Sequence, residues 1–196
     1  EKMSDLLRGM HRVRDDKHML ASTKERFHYY ADESRAYFNE HEISGLHRII
    51  DAIGDGEQVI HGDFHPKNVV FSGDESYVID IGEVSRGRSV YEYAITCYAH
   101  FTQIKMCPDI SAFMGMTPDH LYELWDCLKN DILRSKSEKD AKRMMSLINK
   151  LCWLQTIHLM SWHLGFEEIH QISKKEVKKH LLADVDGVIR EIEEVA

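Results

Sequence analysis

The chain has 196 residues, 43% of them hydrophobic and 30% charged, with 33 acidic against 25 basic residues and a formal net charge of −8. This length suits one ordinary domain, or one large lobe of a two-lobed protein, and the apolar share is enough for a core. The acidic balance argues against a nucleic-acid binder, whose affinity comes mainly from cationic contacts with phosphates. It suits a neutral or cationic small substrate.

Four cysteines, Cys97, Cys107, Cys127 and Cys152, stand apart with no C-x-x-C pair. They read as reduced thiols rather than as disulfides or a zinc site. The most apolar stretch, residues 148–160, is broken by Asn149, Lys150, Gln155 and His158, so no membrane span is expected. The expectation is a soluble, cytoplasmic protein. The 13 histidines are scattered and read as surface or satisfied core residues, His158 and His163 included.

Taken in order, residues 4–12 read as a helix with Leu6, Leu7 and Met10 on one face. A polar loop follows over 13–20. Ser22, with Glu25 three residues on, predicts a capped helix from Thr23 that carries Phe27, Tyr30, Ala31 and Ser34 on one side. The three- and four-residue spacing of Ile43, Leu46, Ile49, Ile50 and Ile53 predicts a helix over 41–53, stopped by Gly54-Asp55-Gly56.

The period then changes. Gln58-Val59-Ile60-His61 reads as a strand entering a loop. Asn68-Val69-Val70-Phe71 and Tyr77-Val78-Ile79-Asp80 read as the arms of a hairpin joined by residues 72–76. The rest reads as helical. One helix spans 90–105, and one is capped by Thr117 with Pro118 at its first position and Leu121, Leu124, Trp125 and Leu128 inside. A long helix opens at Ser137 and Asp140 and ends near Gly165, with Trp153 and Trp162 on packing stripes. A last one runs from about Ser173 and buries Leu181, Val185, Val188 and Ile192. The expected class is α+β, mainly α: a helical lobe with a small β hairpin carrying the chemistry.

That chemistry gathers in His61-Gly62-Asp63-Phe64-His65-Pro66-Lys67-Asn68 and, after the hairpin, Asp80-Ile81-Gly82. Phosphoryl transfer needs a carboxylate to accept or orient the attacking hydroxyl's proton, and hard oxygen ligands for magnesium. Asp63 and Asn68 lie five residues apart on one loop. A hairpin that folds back returns Asp80 beside Asn68, so that both can face one ion.

These segments resemble the catalytic loop and metal-binding segment of the aminoglycoside phosphotransferase and choline kinase-like group, which shares the protein-kinase-like fold. The motif covers about residues 59–94, and the helices on both sides are similar in order to that group's C-terminal lobe. The resemblance implies that Asp63 is the catalytic base and that Asn68 and Asp80 hold Mg2+ and with it the nucleotide. His65 would lie near the transferred phosphoryl group, and His61 would brace the loop. It also implies ATP or GTP as donor and a hydroxyl of a small molecule, such as an aminoglycoside, an amino alcohol or a sugar, as acceptor. Two departures stand out. Where the group usually carries a loop-bracing aspartate, this chain has Glu92, in Tyr91-Glu92-Tyr93-Ala94. The group's N-terminal nucleotide lobe also has no counterpart here, so residues 1–196 are expected to be the catalytic and substrate-binding lobe, inactive by itself.

Two alternatives come from other classes: a pseudokinase or small-molecule binding module, and a metal-dependent hydrolase using His61, Asp63 and His65, whose alternation on an extended segment would point them one way. For Glu83 and Arg86 a place in the cleft is weighed against a solvated loop. Asp109, Asp119, Glu123 and Asp126 are weighed as receptors for a cationic substrate against solvated helix faces.

Overall fold

The computed structural model describes residues 2–161 and 167–195. Trp162, His163 and the predicted helix end at Gly165 lie outside the described residues. What is described is mainly helical with two small antiparallel sheets, in agreement with the expected α+β class.

Helix α1, Lys2–Arg12, buries Met3, Ser4 and Leu7. The polar loop after it closes on itself, because the Asp15 carboxylate accepts the amides of Met19 and Leu20 at 2.9 and 2.7 Å. Helix α2, Thr23–Glu33, starts as predicted, with the Ser22 hydroxyl accepting the Glu25 amide. Helix α3, Glu40–Ile53, carries a reciprocal cap: Asn39 accepts the Glu42 amide at 3.0 Å and the Glu42 side chain takes the Asn39 amide at 2.9 Å. Its predicted stripe, Ile43, Leu46, Ile49, Ile50 and Ile53, is buried. α3 packs between α2 and the C-terminal helix.

Strand β1, Gln58–Ile60, does not lie against the hairpin. It pairs antiparallel with a strand absent from the expected elements, β4, Ser85–Gly87. The hairpin, β2 (Val69–Ser72) and β3 (Glu75–Val78), is a separate ribbon. Its turn is tighter than expected: Ser72 pairs with Glu75, and Gly73, at φ 60, takes the left-handed first position that a two-residue turn requires. β4 puts Arg86 neither in a cleft nor in a solvated loop. The side chain is buried and its Nη1 meets Asp55 at 2.5 Å.

The predicted helix over 90–105 is interrupted. Helix α4, Ser89–Cys97, runs into a widened π turn at Tyr98–Thr102 before α5, Gln103–Met106. Short α6, Ile110–Met114, precedes α7, Pro118–Leu133, which Thr117 caps and which buries Leu121, Trp125 and Leu128. The single long helix expected after Ser137 is two helices: α8, Glu138–Leu151, and α9, Leu154–Ser161. Between them the Thr156 hydroxyl donates to the Trp153 carbonyl at 2.7 Å, and Trp153 lies flat against His180. These contacts hold a turn that no glycine or proline announces. The last predicted helix is also two, α10 (Glu167–Val177) and α11 (Val185–Val195), joined through a π turn at Lys178–Leu182. Leu181, Val188 and Ile192 are buried as expected, whereas Val185 is only partly so.

Among the described residues no helix is long and apolar enough to cross a membrane, and all four cysteines are free. The main core runs from α3 through α4 and α8 to α11. Truncating fully buried Leu46 to Ala should cost about 3 kcal/mol. Tyr29→Ala, 59% exposed on α2, should stay within about 0.5 kcal/mol. Denaturant titration of the two variants checks the assigned core.

Candidate active site

The segment from His61 to Asn68 leaves β1 at Ile60 and turns at Gly62. Gly62 sits at φ 83, and a Cβ there would lie 2.6 Å from the Glu83 carbonyl oxygen, so the bend admits no side chain. Pro66 then opens a short 3-10 turn, Pro66–Asn68, that delivers Asn68 to the start of β2. The loop is pinned from beneath by His61, whose side chain is completely buried. Its Nδ1 accepts the Asp63 amide at 3.2 Å, which leaves Nε2–H to donate to the Ile79 carbonyl at 3.0 Å. One ring thus ties this loop to the far end of the hairpin.

Glu92, from α4, reaches the same loop. The His61 amide donates to its Oε2, while Oε1 is buried with no hydrogen-bond partner among the described residues. Burial pushes this carboxyl up to about 7, against the pull of the His61 and Gly62 amides. The raised pKa and the unpartnered oxygen both reflect the same burial.

Asp63, half-buried, is surrounded by donors. The Asn68 Nδ2 donates to its backbone oxygen at 2.9 Å and to its Oδ2 at 3.1 Å, and His65 Nε2 stands 3.3 Å from Oδ2. Burial alone would raise the Asp63 carboxyl. The hydrogen bond and charge of His65, with the Asn68 amide, outweigh it and hold the group below its ordinary range. His65 was expected beside a phosphoryl group. Its polar contacts go to Asp63 and Asn68, and its Nδ1 is buried without a partner among the described residues.

Asp80 follows β3 in the left-handed region, φ 57 and ψ 63. The Ile79 amide donates to the Asn68 carbonyl at 2.9 Å, so the chain delivers Asp80 one residue beyond Asn68's pairing partner. Its carboxylate is exposed and has no hydrogen-bond or ion-pair partner among the described residues. The amide oxygen of Asn68 is likewise unused. Two hard oxygen donors are therefore free at one end of the ribbon, a set that fits magnesium, which takes few protein ligands and keeps waters.

The hydrolase alternative fails on geometry. Both ring nitrogens of His61 are spent on the backbone, so His61, Asp63 and His65 do not converge as ligands. Among the described residues no group of three or more His, Cys, Asp or Glu side chains is placed to hold a metal.

A cleft of about 260 Å³ opens beside Asp63 and His65. Its walls come from the π turn (Tyr98, Ala99), from α6 (Ile110, Phe113, Met114) and from α9 (Gln155, His158, Leu159), with Glu83 at one edge. Glu83 takes the cleft side of the two places weighed for it, whereas sequence reasoning missed the helical lining residues, which read as ordinary stripes. The only hint was the change of apolar spacing near Tyr98. Asp109, Asp119, Glu123 and Asp126 do not line the cleft.

A family model described as "Phosphotransferase enzyme family" matches residues 1–112, more than half of the chain. The match takes in the loop, the hairpin and Glu92. No curated protein and no solved structure matches the chain.

The Glu92 assignment has a consequence for stability. A carboxyl raised in the folded state to about 7 from an ordinary 4.5 loses ground as pH rises through that interval. The unfolded chain ionises first, and above about 7 the loss is complete. Thermal melts of the wild type should decline between pH 4.5 and 7, and Glu92→Gln should flatten that decline. Parallel curves for the two proteins would show that Glu92 is already ionised in the fold.

Proposed function

We propose that this chain, which belongs to the phosphotransferase enzyme family, is the catalytic and acceptor-binding lobe of a small-molecule kinase. It moves the γ-phosphoryl group of a magnesium-bound nucleotide, ATP or GTP, to a hydroxyl of a small molecule. The observation that carries this reading is the Asn68 amide, locked by its nitrogen to both the backbone and the carboxylate of Asp63. That lock holds the base through the amide nitrogen and leaves the Asn68 oxygen for a metal.

In this reading Asp63 accepts the proton of the attacking hydroxyl while the hydroxyl oxygen forms its bond to phosphorus. The bond to the bridging oxygen breaks, and its electrons leave with the nucleoside diphosphate. The depressed pKa of Asp63 suits the role, since the group is ionised and ready at neutral pH. Asn68 Oδ1 and the Asp80 carboxylate would hold the magnesium, whose charge, when bound, offsets that of the phosphate oxygens. His65 acts through Asp63 rather than on the phosphoryl group. His61 and Glu92 keep the loop in place, the longer glutamate doing from α4 what an aspartate does in the group this sequence resembles.

Asp63→Ala should lower transfer by about 100- to 10,000-fold in the complete protein while far-UV circular dichroism stays unchanged. Undiminished turnover would assign the base elsewhere. His65→Ala removes the group that depresses Asp63, so the acid limb of the kcat/KM profile should move to higher pH. An unmoved limb would detach His65 from the base.

A further inference from the structure

We infer that His28 and His47, facing each other across α2 and α3, form a two-imidazole site for a divalent transition metal such as zinc, separate from the site around Asp63. This does not rest on the phosphotransfer reading. No spacing in the sequence brings the two rings together, since they lie 19 residues apart on different helices. In the fold their planes are 19° apart with centroids at 4.7 Å, and their Nδ1 atoms stand 2.5 Å from each other.

The outer nitrogens are both engaged, and crosswise. His28 Nε2 is 3.1 Å from Oδ1 of Asp51, on the helix of His47, and His47 Nε2 is 3.1 Å from Oδ1 of Asp32, on the helix of His28. A cation holds each carboxylate in turn, Lys24 on Asp51 at 2.8 Å and Arg35 on Asp32 at 2.7 Å. The hydrogen bonds of those cations outweigh burial and keep both carboxyls below their ordinary range. The carboxylates therefore accept, each Nε2 carries a proton, and Nδ1 of a neutral ring presents a lone pair. Two lone pairs do not face each other this closely without a positive centre between them: one shared proton, or a metal ion in its place. A carboxylate on the far nitrogen is also what orients a metal-bound histidine and raises its basicity, and here both rings have one. Imidazole suits zinc, copper and nickel rather than magnesium. Tetrahedral zinc, at about 2.0 Å from each nitrogen, needs the pair roughly 3.3 Å apart, so the rings must part by about 0.8 Å. Each ring is 26% exposed, which leaves it free to shift and lets water fill the remaining positions. The site has two protein ligands, in keeping with the lack of any larger ligand group among the described residues. Binding sends the shared proton to solvent and ties α2 to α3 through the metal.

The test is isothermal titration of the purified protein with zinc chloride, and with magnesium chloride as control. Zinc should bind one equivalent at this pair, and His28→Gln and His47→Gln should each abolish that step. Asp32→Asn and Asp51→Asn should weaken it by roughly 10- to 100-fold, and magnesium should not produce it. Zinc affinity equal in the wild type and in either set of variants would mean an adventitious ion only and would overturn the site, as would an equal step with magnesium. Nitrogen NMR of the wild-type imidazoles decides the matter without any substitution, even where a variant fails to fold. Both rings should carry a proton on Nε2 before zinc is added, and zinc should move both Nδ1 signals. A ring with a bare Nε2, or Nδ1 signals that ignore zinc, would overturn the inference.

Discussion

The site hangs on one buried imidazole. His61 accepts an amide from the loop that carries Asp63 and donates to a carbonyl at the end of the strand that leads to Asp80. It adds to the bonds of Asn68 a tie between loop and ribbon that the sheets do not supply, since β1 pairs with β4 and the hairpin pairs only with itself. A histidine suits the task because its two nitrogens lie on opposite edges of a rigid ring, one a donor and the other an acceptor. Glu92 adds a second anchor from α4, at the cost of an uncompensated buried oxygen.

Electrostatics then separates two carboxyls that are neighbours in the fold. Asp63 stands among donors and stays ionised, whereas Glu92, sealed under the same loop, is driven toward its neutral form. The same residue chemistry thus gives a charged group in one place and a strut close to neutral in the other. What differs is the number of donors each meets and how much water reaches it. At the cleft, Arg26 pairs with Glu83 and Lys67 lies over the ring of Phe113.

Much of this was legible in the sequence where local rules act. Ser22, Thr117 and Ser137 cap the helices they were expected to cap, and the stripe of α3 is the core face it appeared to be. The loop from His61 to Asn68 and the hairpin after it are where their residue types placed them. What was hidden depends on contacts between distant segments. β4 has no strand-like composition and exists because β1 needs a partner. The break between α8 and α9 is set by Trp153 against His180 and by Thr156 turning its hydroxyl back, with no breaker residue to flag it. The π turn at Tyr98–Thr102 likewise inserts no unusual residue, yet it supplies part of the cleft wall. The contacts of His65 with Asp63 and Asn68 were equally hidden, since no spacing rule reveals the direction of its ring.

The left-handed backbone at Asp80 carries one more consequence. For most residues that conformation costs roughly 1–2 kcal/mol, and it is borne where the surroundings insist on it. Glycine there would relax the chain and erase the carboxylate in the same step. With Asp80 in its proposed role as metal ligand, selection for a sturdier protein and selection for a working one pull in opposite directions at this position. A lineage that drifted toward glycine at residue 80 would gain in folding what it surrendered in chemistry.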